Sequence, residues 1–200
     1  MPGEILLKSL DHVWNALAPL DIPMAVMGGL AVSVYQHARS TRDVDILIQI
    51  EERDTDRILD VLSQAGIKPR RIPALMNLDK QLILFLYYQP PGAFFEIKID
   101  LLYADNEYQR QALARRVAGQ LPGSATSLFF LSCEDLIIHK LQAGRIIDRA
   151  DCAHLVRANR SDLDFGYLGK WIESLSLSAQ WNEVWADAFS GEDSPLGVSS

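Results

Sequence analysis

The sequence predicts an α+β fold, in which a mixed β-sheet is flanked by helices and followed by a C-terminal helical segment. Segments with the apolar alternation of strands are interspersed with segments of helical spacing up to about residue 125, and beyond it the spacing is helical. Because the order of strands and helices is mixed, α+β is favoured over a doubly wound sheet. We therefore divide the chain into an α/β core at 1–125, a helical part at 126–190 and a disordered Gly- and Ser-rich tail at 191–200.

The first half of the chain alternates between helix and strand patterns. The apolar run Met24–Met27 predicts a short strand that stops at Gly28-Gly29. In residues 43–50, apolar side chains alternate with Asp43, Asp45 and Gln49, as in a half-buried strand. The predicted elements are, in order, a helix over 3–18, a strand over 24–27, a helix to about residue 37, a strand over 43–50 and a helix over 54–65.

Two apolar, aromatic segments follow, and a Pro-Pro-Gly turn separates them. Residues 82–88 and 94–103 are therefore predicted to form a hairpin. From about residue 106 the pattern is mostly helical. Ser132 and Asp135 fit a capping box at the start of a helix that runs through Gln142. Further helices are predicted over 148–159, 163–175 and 179–189.

Composition excludes several classes of protein. The chain has 200 residues, of which 48% are hydrophobic and 22% are charged, so it can bury a core without disulfides or a structural metal. Two cysteines, Cys133 and Cys152, make no disulfide framework, which favours a reducing compartment. No 18-residue apolar run and no signal-peptide pattern occur, so we expect a cytoplasmic protein without a membrane partner.

The net charge of −7 is concentrated near the C-terminus. Residues 1–160 carry 18 basic and 19 acidic side chains, and residues 161–200 carry one basic and seven acidic ones, so the two parts have net charges of −1 and −6. This balance argues against a broad phosphate-binding surface, which requires many Lys and Arg contacts. It still allows a local site for a nucleotide or an RNA end.

Two carboxylates stand side by side at the start of the predicted strand 43–50. Residues two apart in a strand project to one face, so Asp43 and Asp45 are neighbours there. Adjacent anions repel each other unless a proton or a cation lies between them, and Mg²⁺ prefers such oxygen ligands. The alternative interpretation is an ordinary pair of surface charges.

A third carboxylate lies on the predicted strand 94–103. Asp100 shares a face with Lys98, and apolar residues occupy the other face. If this strand lies beside 43–50, Asp100 completes a three-carboxylate cluster. Three acids can hold two Mg²⁺ ions, which stabilise the attacking and leaving oxygens of a phosphoryl displacement.

The order of these features resembles the nucleotidyltransferase fold of the DNA polymerase β superfamily. That family has Gly-Gly or Gly-Ser after the first strand, an acidic pair on the second and a third acid on a later strand; here these are Gly28-Gly29, Asp43 with Asp45, and Asp100. The chain is more closely similar to the AbiEii-like group of abortive-infection and toxin–antitoxin nucleotidyltransferases. Its typical Arg-x-Thr-x-Asp-x-Asp run matches Arg39, Thr41, Asp43 and Asp45.

A second block extends the resemblance to roughly residues 20–160. Residues 131–141 look like the group's helix ending in a Lys that faces the nucleotide, here Lys140. Arg145, Asp148 and Asp151 fit its downstream Arg…Asp…Asp pattern. The two aspartates lie one turn apart on a predicted helix, where they orient Lys140 or Arg145 or only cap the helix.

The resemblance implies a metal-dependent enzyme that transfers a nucleoside monophosphate from an NTP to a hydroxyl acceptor. Asp43 and Asp45 would bind the metal ions, and Asp100 would be a general base or shared ligand. Gly28, Gly29, Arg39, Thr41 and Lys140 would bind the nucleotide.

The resemblance leaves the acceptor open between an RNA end, a protein side chain and a small molecule. A toxin–antitoxin or phage-defence role would add a cognate antitoxin as a partner. An antibiotic-type nucleotidyltransferase would need an acidic pocket for a cationic acceptor. The alternative to an enzyme is a catalytically inactive regulator that keeps the fold and binds a nucleotide or a protein.

Overall fold

The computed structural model describes residues 2–35, 40–78 and 81–197. The chain divides into two compact units. The first comprises Met1–Leu30 and Ser40–Leu131, and the second comprises Ala31–Arg39 and Ser132–Ser200.

The first unit is built on a mixed sheet of eight strands in the described part of the chain. The strand order is β3-β5-β6-β2-β1-β8-β7, and β4 pairs with β5 beside β3. The β2–β6 and β1–β8 pairs are parallel, and the others are antiparallel. The strands are β1 Met24–Met27, β2 Asp43–Ile48, β3 Lys68–Pro69, β4 Leu75–Leu78, β5 Gln81–Tyr88, β6 Ile97–Tyr103, β7 Val117–Gly119 and β8 Leu128–Phe130.

Strand β2 lies at the centre of this sheet, between β1 and β6. Its residues Val44, Ile46, Leu47 and Ile48 are all fully buried. This explains why the alternation in the sequence is interrupted at Leu47, because a central strand is covered on both faces. The sheet therefore fixes the two aspartates at the start of β2 on a rigid element.

Up to residue 131, the described part of the chain also forms four α-helices: α1 Pro2–Leu17, α2 Gly28–Val32, α3 Thr55–Gln64 and α4 Glu107–Ala114. Helix α1 packs against α3 and β2, and the apolar residues that predicted it, Leu10, Val13 and Leu17, are fully buried. The side chain of Asn106 caps α4 by accepting a hydrogen bond from the Gln109 backbone N–H, 3.0 Å away. These elements confirm the predicted α+β class.

Several predicted elements differ from the structure. The stretch after residue 106 is not continuously helical, since it contains β7 and β8, three-residue strands too short to show a periodicity. The second strand of the hairpin begins at Ile97 rather than at 94, and Phe94 is exposed. Helix α2 ends at Val32 and continues as a 3₁₀ turn through Tyr35.

The described residues of the second unit form four longer α-helices: α5 Cys133–Ala143, α6 Ile146–Asn159, α7 Phe165–Ser174 and α8 Ser178–Ala188. Helix α6 packs against α5 and α8. The three tryptophans of α7 and α8 are buried, as their spacing predicts: Trp171, Trp181 and Trp185. The capping box is present, since Ser132 Oγ accepts from the Asp135 backbone N–H at 3.2 Å.

The acidic C-terminal segment is partly neutralised within the second unit. Arg149 makes ion pairs with Glu183 and Asp187, and Arg160 Nη2 lies 2.8 Å from Glu192 Oε2. The Ser194 hydroxyl accepts a 2.8 Å hydrogen bond from the buried indole N–H of Trp181. Among the described residues, no helix has the length and apolar character needed to cross a membrane.

Candidate active site

The first unit brings the three predicted carboxylates together on β2 and β6. Asp45 lies opposite Met27 of β1 and opposite Asp100 of β6, and Asp43 lies opposite Lys98. In a parallel pair, residues in register project to the same face of the sheet. Asp43, Asp45 and Asp100 therefore share one face, and all three are half-buried.

Gly28, the residue after β1, lies against the carboxylate of Asp45. A Cβ placed at Gly28 would stand 2.0 Å from Asp45 Oδ2, a distance that no side chain can occupy. The φ angle of Gly28 is +64°, in the left-handed region that favours glycine. Two independent reasons thus require glycine here: the close approach of the Asp45 carboxylate and the left-handed backbone conformation.

Asp100 forms an ion pair that the sequence did not predict. Arg70 Nη1 donates a hydrogen bond to Asp100 Oδ1 at 3.2 Å, and the two side chains are 26% and 23% exposed. Burial raises the pKa of Asp100, the charge of Asp43 raises it further, and Arg70 and Lys98 act in the opposite direction. The net effect is a pKa above the ordinary value, so Asp100 takes up a proton more readily than an exposed aspartate.

Strand β5 determines where Arg70 lies. The backbone N–H of Arg70 donates to the carbonyl of Phe85 at 2.8 Å, and its guanidinium carbon is 5.7 Å from the centre of the Phe85 ring. Phe85 is itself opposite Asp100 in the β5–β6 register. Nothing in the sequence around Arg70 indicates this, because the contact joins residues thirty positions apart.

The three carboxylates are chemically suited to bind a divalent cation, but their arrangement in the structure suits one only in part. Carboxylate oxygens are the ligands that Mg²⁺ prefers. Within residues 2–35, 40–78 and 81–197, however, no group of three or more His, Cys, Asp and Glu side chains is placed to hold a metal ion. Asp43 and Asp45 are the pair that would hold Mg²⁺, while Asp100 is engaged by Arg70.

The remaining nucleotide-binding candidates adjoin this face in the sequence. Gly29 follows Gly28 and is buried, and Thr41 is half-buried two residues before β2 begins. Arg39 lies outside the described residues.

Lys140 is buried in a separate cluster of charges within the second unit. It is 6% exposed, and its Nζ lies 2.7 Å from Asp151 Oδ2 and 3.2 Å from Asp148 Oδ1. Arg145 bonds the other side of Asp148, with Nε 2.5 Å from Oδ2. The two aspartates of α6 thus bond the Lys140 side chain at the end of α5.

The charges around Asp148 stabilise its ionised form. Burial acts to raise its pKa, but the hydrogen bonds and charges of Arg145 and Lys140 outweigh burial and hold the pKa below the ordinary value. The cluster is therefore an internally neutral network of two acids and two bases.

A cavity of about 650 Å³ lies at a different place on the sheet of the first unit. It is formed past the carboxyl ends of β2 and β6, where Glu52, Asp54 and Tyr103 line it. Neither the aspartates of β2 nor Asp100 contributes to its wall. The carboxylate face is thus not part of this cavity.

Comparison with known proteins agrees with the geometry of the sheet. The family model of aminoglycoside-2''-adenylyltransferase matches residues 9–113. No curated protein sequence matches the chain.

Several solved structures share the fold. A nucleotidyltransferase-like antigenic protein from Paracoccidioides brasiliensis is 19% identical, with a TM-score of 0.51 over 88% of this chain and 92% of that one. A candidate nucleotidyltransferase from Helicobacter pylori is 14% identical, with a TM-score of 0.55 over 94% of this chain and 81% of that one. A candidate nucleotidyltransferase from Thermotoga maritima is 18% identical, with a TM-score of 0.52 over 75% and 91% of the two chains.

These structural likenesses confirm the predicted nucleotidyltransferase fold, whereas the narrower AbiEii-like resemblance is not confirmed. The match to the family model includes the Gly-Gly turn and all three carboxylates of the site, and it spans more than half of the chain. The chain therefore belongs to the aminoglycoside-2''-adenylyltransferase family of nucleotidyltransferases.

Proposed function

We propose that the protein transfers a nucleoside monophosphate from an NTP to a hydroxyl group of an aminoglycoside-type amino sugar, with Mg²⁺ as cofactor and pyrophosphate as the second product. The observation that carries this proposal is the placement of Asp43, Asp45 and Asp100 on one face of adjacent parallel strands. The family match supplies the nucleotidyl transfer and favours a small cationic acceptor.

Asp43 and Asp45 would hold Mg²⁺, and the ion would offset negative charge on the phosphates when bound. Asp100 would accept the proton of the attacking hydroxyl, as a positioned carboxylate does in general base catalysis. The acceptor oxygen then forms a bond to the α-phosphorus, and the bond from that phosphorus to the bridging oxygen breaks. The electron pair leaves with pyrophosphate.

The turn after β1 would receive the triphosphate. Gly28 and Gly29 have no side chains, so their backbone N–H groups can approach phosphate oxygens closely. Thr41 would donate its hydroxyl from the segment before β2, and Arg39 keeps the nucleotide-binding role that the resemblance implies.

The contacts of Lys140 support a role different from neutralising phosphate. Its ammonium is buried and is bonded by Asp148 and Asp151. A cation that already has two carboxylate partners in the interior is costly to withdraw from them. Lys140 and Arg145 would therefore act by fixing α5 to α6.

The molecule that accepts the nucleoside monophosphate differs between the proposed function and the other enzymatic alternatives. An RNA end or a protein side chain would fit a toxin or phage-defence role with a cognate antitoxin, which only the AbiEii-like resemblance implies. The small-molecule acceptor is preferred because the family that matches the chain is described by such an acceptor. A retained fold that binds a nucleotide without turnover is the non-enzymatic alternative.

The direct test is incubation with each α-labelled NTP, Mg²⁺ and a panel of aminoglycosides that carry a free 2''-hydroxyl. We expect a labelled product whose mass equals the aminoglycoside plus one nucleoside monophosphate, and equimolar pyrophosphate. Parallel reactions with total RNA and with proteins of the source cell test the other acceptors. Label in RNA or protein alone would replace the acceptor, and NTP binding without any product would support the non-enzymatic alternative.

A further inference from the structure

Asp100 and Arg70 form a pair whose position is built into the sheet. The Arg70 backbone is hydrogen bonded to β5, and its guanidinium lies against the ring of Phe85, which is 9% exposed. Phe85 and Asp100 are direct partners in the β5–β6 register. The guanidinium is thus held beside Asp100 by neighbouring backbone and side-chain contacts, unlike a solvent-exposed ion pair whose partners move independently.

The charges on this face already include two cations. Asp43, Asp45 and Asp100 contribute −3, and Lys98 and Arg70 contribute +2, so the five groups sum to −1. One divalent cation at the β2 pair would change this sum to +1. A second one beside Asp100 would raise it to +3 and would stand next to the positively charged guanidinium of Arg70.

The three acids share one face but are not arranged as a common metal site. No group of three or more metal-ligating side chains is present in the described residues, although Asp45 and Asp100 are in register. Asp100 directs one carboxylate oxygen to Arg70 instead. The three acids in the sequence predict two metal ions. No motif or spacing in the sequence indicates that Arg70 contacts Asp100.

We propose that the site holds a single divalent cation at Asp43 and Asp45, and that the guanidinium of Arg70, bonded to Asp100, takes the role of a second cation. This inference rests on the proposed function, since it concerns the metal stoichiometry of the same site. Arg70 is a positioning residue in this arrangement, because it acts through Asp100. Arg70 would orient the carboxylate of Asp100, the proposed base, and balance its negative charge without a second metal ion.

The test counts Mn²⁺ ions, which share the preference of Mg²⁺ for carboxylate ligands. The protein is dialysed to equilibrium against Mn²⁺ and a non-hydrolysable ATP analogue, and retained metal and analogue are both quantified. We expect one Mn²⁺ per chain for the wild type and two for Arg70→Gln. Two ions in the wild type, or one ion in a folded Arg70→Gln variant, would overturn the proposal.

Matched variants separate the Asp100 pair from charge in general. Arg71 also lies over Phe85, 4.5 Å from the ring centre, and the Arg71→Gln variant should keep one ion. Arg70→Lys should keep one as well, because the positive charge stays. Asp100→Asn, which tests the inference even if Arg70→Gln does not fold, should retain the single ion; its loss would show that Asp100 is a ligand and would refute the proposal.

The analogue provides the control for the proposed function. If the wild type retains neither analogue nor metal, the nucleotidyltransferase site itself is wrongly assigned. If the analogue is retained together with two ions, only the inference about Arg70 fails.

Discussion

Two clusters of aspartates and basic residues lie in the two units of this chain, and they differ in how their charge is balanced. The cluster of the second unit joins Asp148 and Asp151 to Lys140 and Arg145, with equal numbers of acids and bases. The aspartates are 1% and 2% exposed there. In the first unit, Asp43, Asp45 and Asp100 are half-buried, and with Lys98 and Arg70 they leave a formal charge of −1.

The charge balance and exposure of the two clusters suit the same residue types to different roles. In the second unit the two buried aspartates are already paired with cations, so removing one partner would be costly and the network has little to offer a ligand. A partly open set of acids with surplus negative charge costs stability and attracts a cation, as functional sites do. Four predictions test that contrast and are given in order of decreasing expected effect.

Asp43→Asn should abolish activity and leave the fold intact. Because charge stabilisation by a metal is worth several kcal/mol, we expect nucleotidyl transfer to fall by about 10³-fold or more. Steady-state assays of pyrophosphate release measure this loss. Asp60→Asn on the exposed face of α3 is the matched control and should keep wild-type activity. Equal activity of the two variants would contradict the role of Asp43.

Lys140→Met should have the converse effect, a loss of stability. It removes the cation that two buried carboxylates share, so the free energy of unfolding should fall by about 3–5 kcal/mol. Urea denaturation at neutral pH measures the change. Lys8→Met, which removes an exposed pair with Glu4, should change the unfolding midpoint very little. A stable Lys140→Met variant that has lost only NTP affinity would instead support the phosphate-binding role.

Gly28→Ala compares a glycine of the site with one outside it. Gly28 and Gly66 both have a left-handed backbone, with φ of +64° and +75°, but only a Cβ at Gly28 meets Asp45. Each substitution should cost roughly 1–2 kcal/mol of stability for the backbone conformation. Displacement of Asp45 should additionally lower the transfer rate of Gly28→Ala by about 10²-fold.

Gly66→Ala, where nothing lies within 4 Å of the added Cβ, should keep the wild-type rate. Thermal unfolding and initial rates of the two variants give the comparison. Equal rates for Gly28→Ala and Gly66→Ala would show that the contact with Asp45 does not matter for catalysis.

The smallest expected effect is on the pH dependence of the free energy of unfolding, to which Asp148 and Asp100 should contribute with opposite signs. The pKa of Asp148 is lowered, so its contribution to stability is present above the ordinary value of 3.8 and is lost as the pH falls through the folded pKa. The pKa of Asp100 is raised from 3.8, so its contribution is present at lower pH and is lost as the pH rises through the folded pKa.

Urea midpoints in EDTA between about pH 3 and 7 measure both slopes. Relative to the wild type, Asp148→Asn should lose less stability on acidification, and Asp100→Asn should lose less on raising the pH. Slopes of the same sign for the two variants would contradict the difference between the clusters.

The residues that sequence patterns located are those whose signal is local. Asp43 and Asp45 stand at the spacing that places two side chains on one face, and the capping box of Ser132 lies within a single turn. Asp100 followed from the alternation of its strand, and the pairing of that strand with β2 is what the structure adds. The nucleotidyltransferase fold was accessible because its motifs occur in a fixed order.

What the sequence did not indicate depends on long-range pairing. Arg70 meets Asp100 only because β5 lies between β3 and β6, and no local spacing joins the two residues. Strands β7 and β8 are three residues each and become strands by pairing with each other and with β1. The network around Lys140 likewise requires α5 and α6 to pack before its charges compensate one another.

The most direct test of the central claim is a crystal structure of the protein with Mn²⁺ and a non-hydrolysable NTP analogue, read from the anomalous signal of the metal. We expect a Mn²⁺ peak within coordination distance of carboxylate oxygens of both Asp43 and Asp45, with the α-phosphate bound beside it. A bound nucleotide whose metal contacts neither aspartate would contradict it.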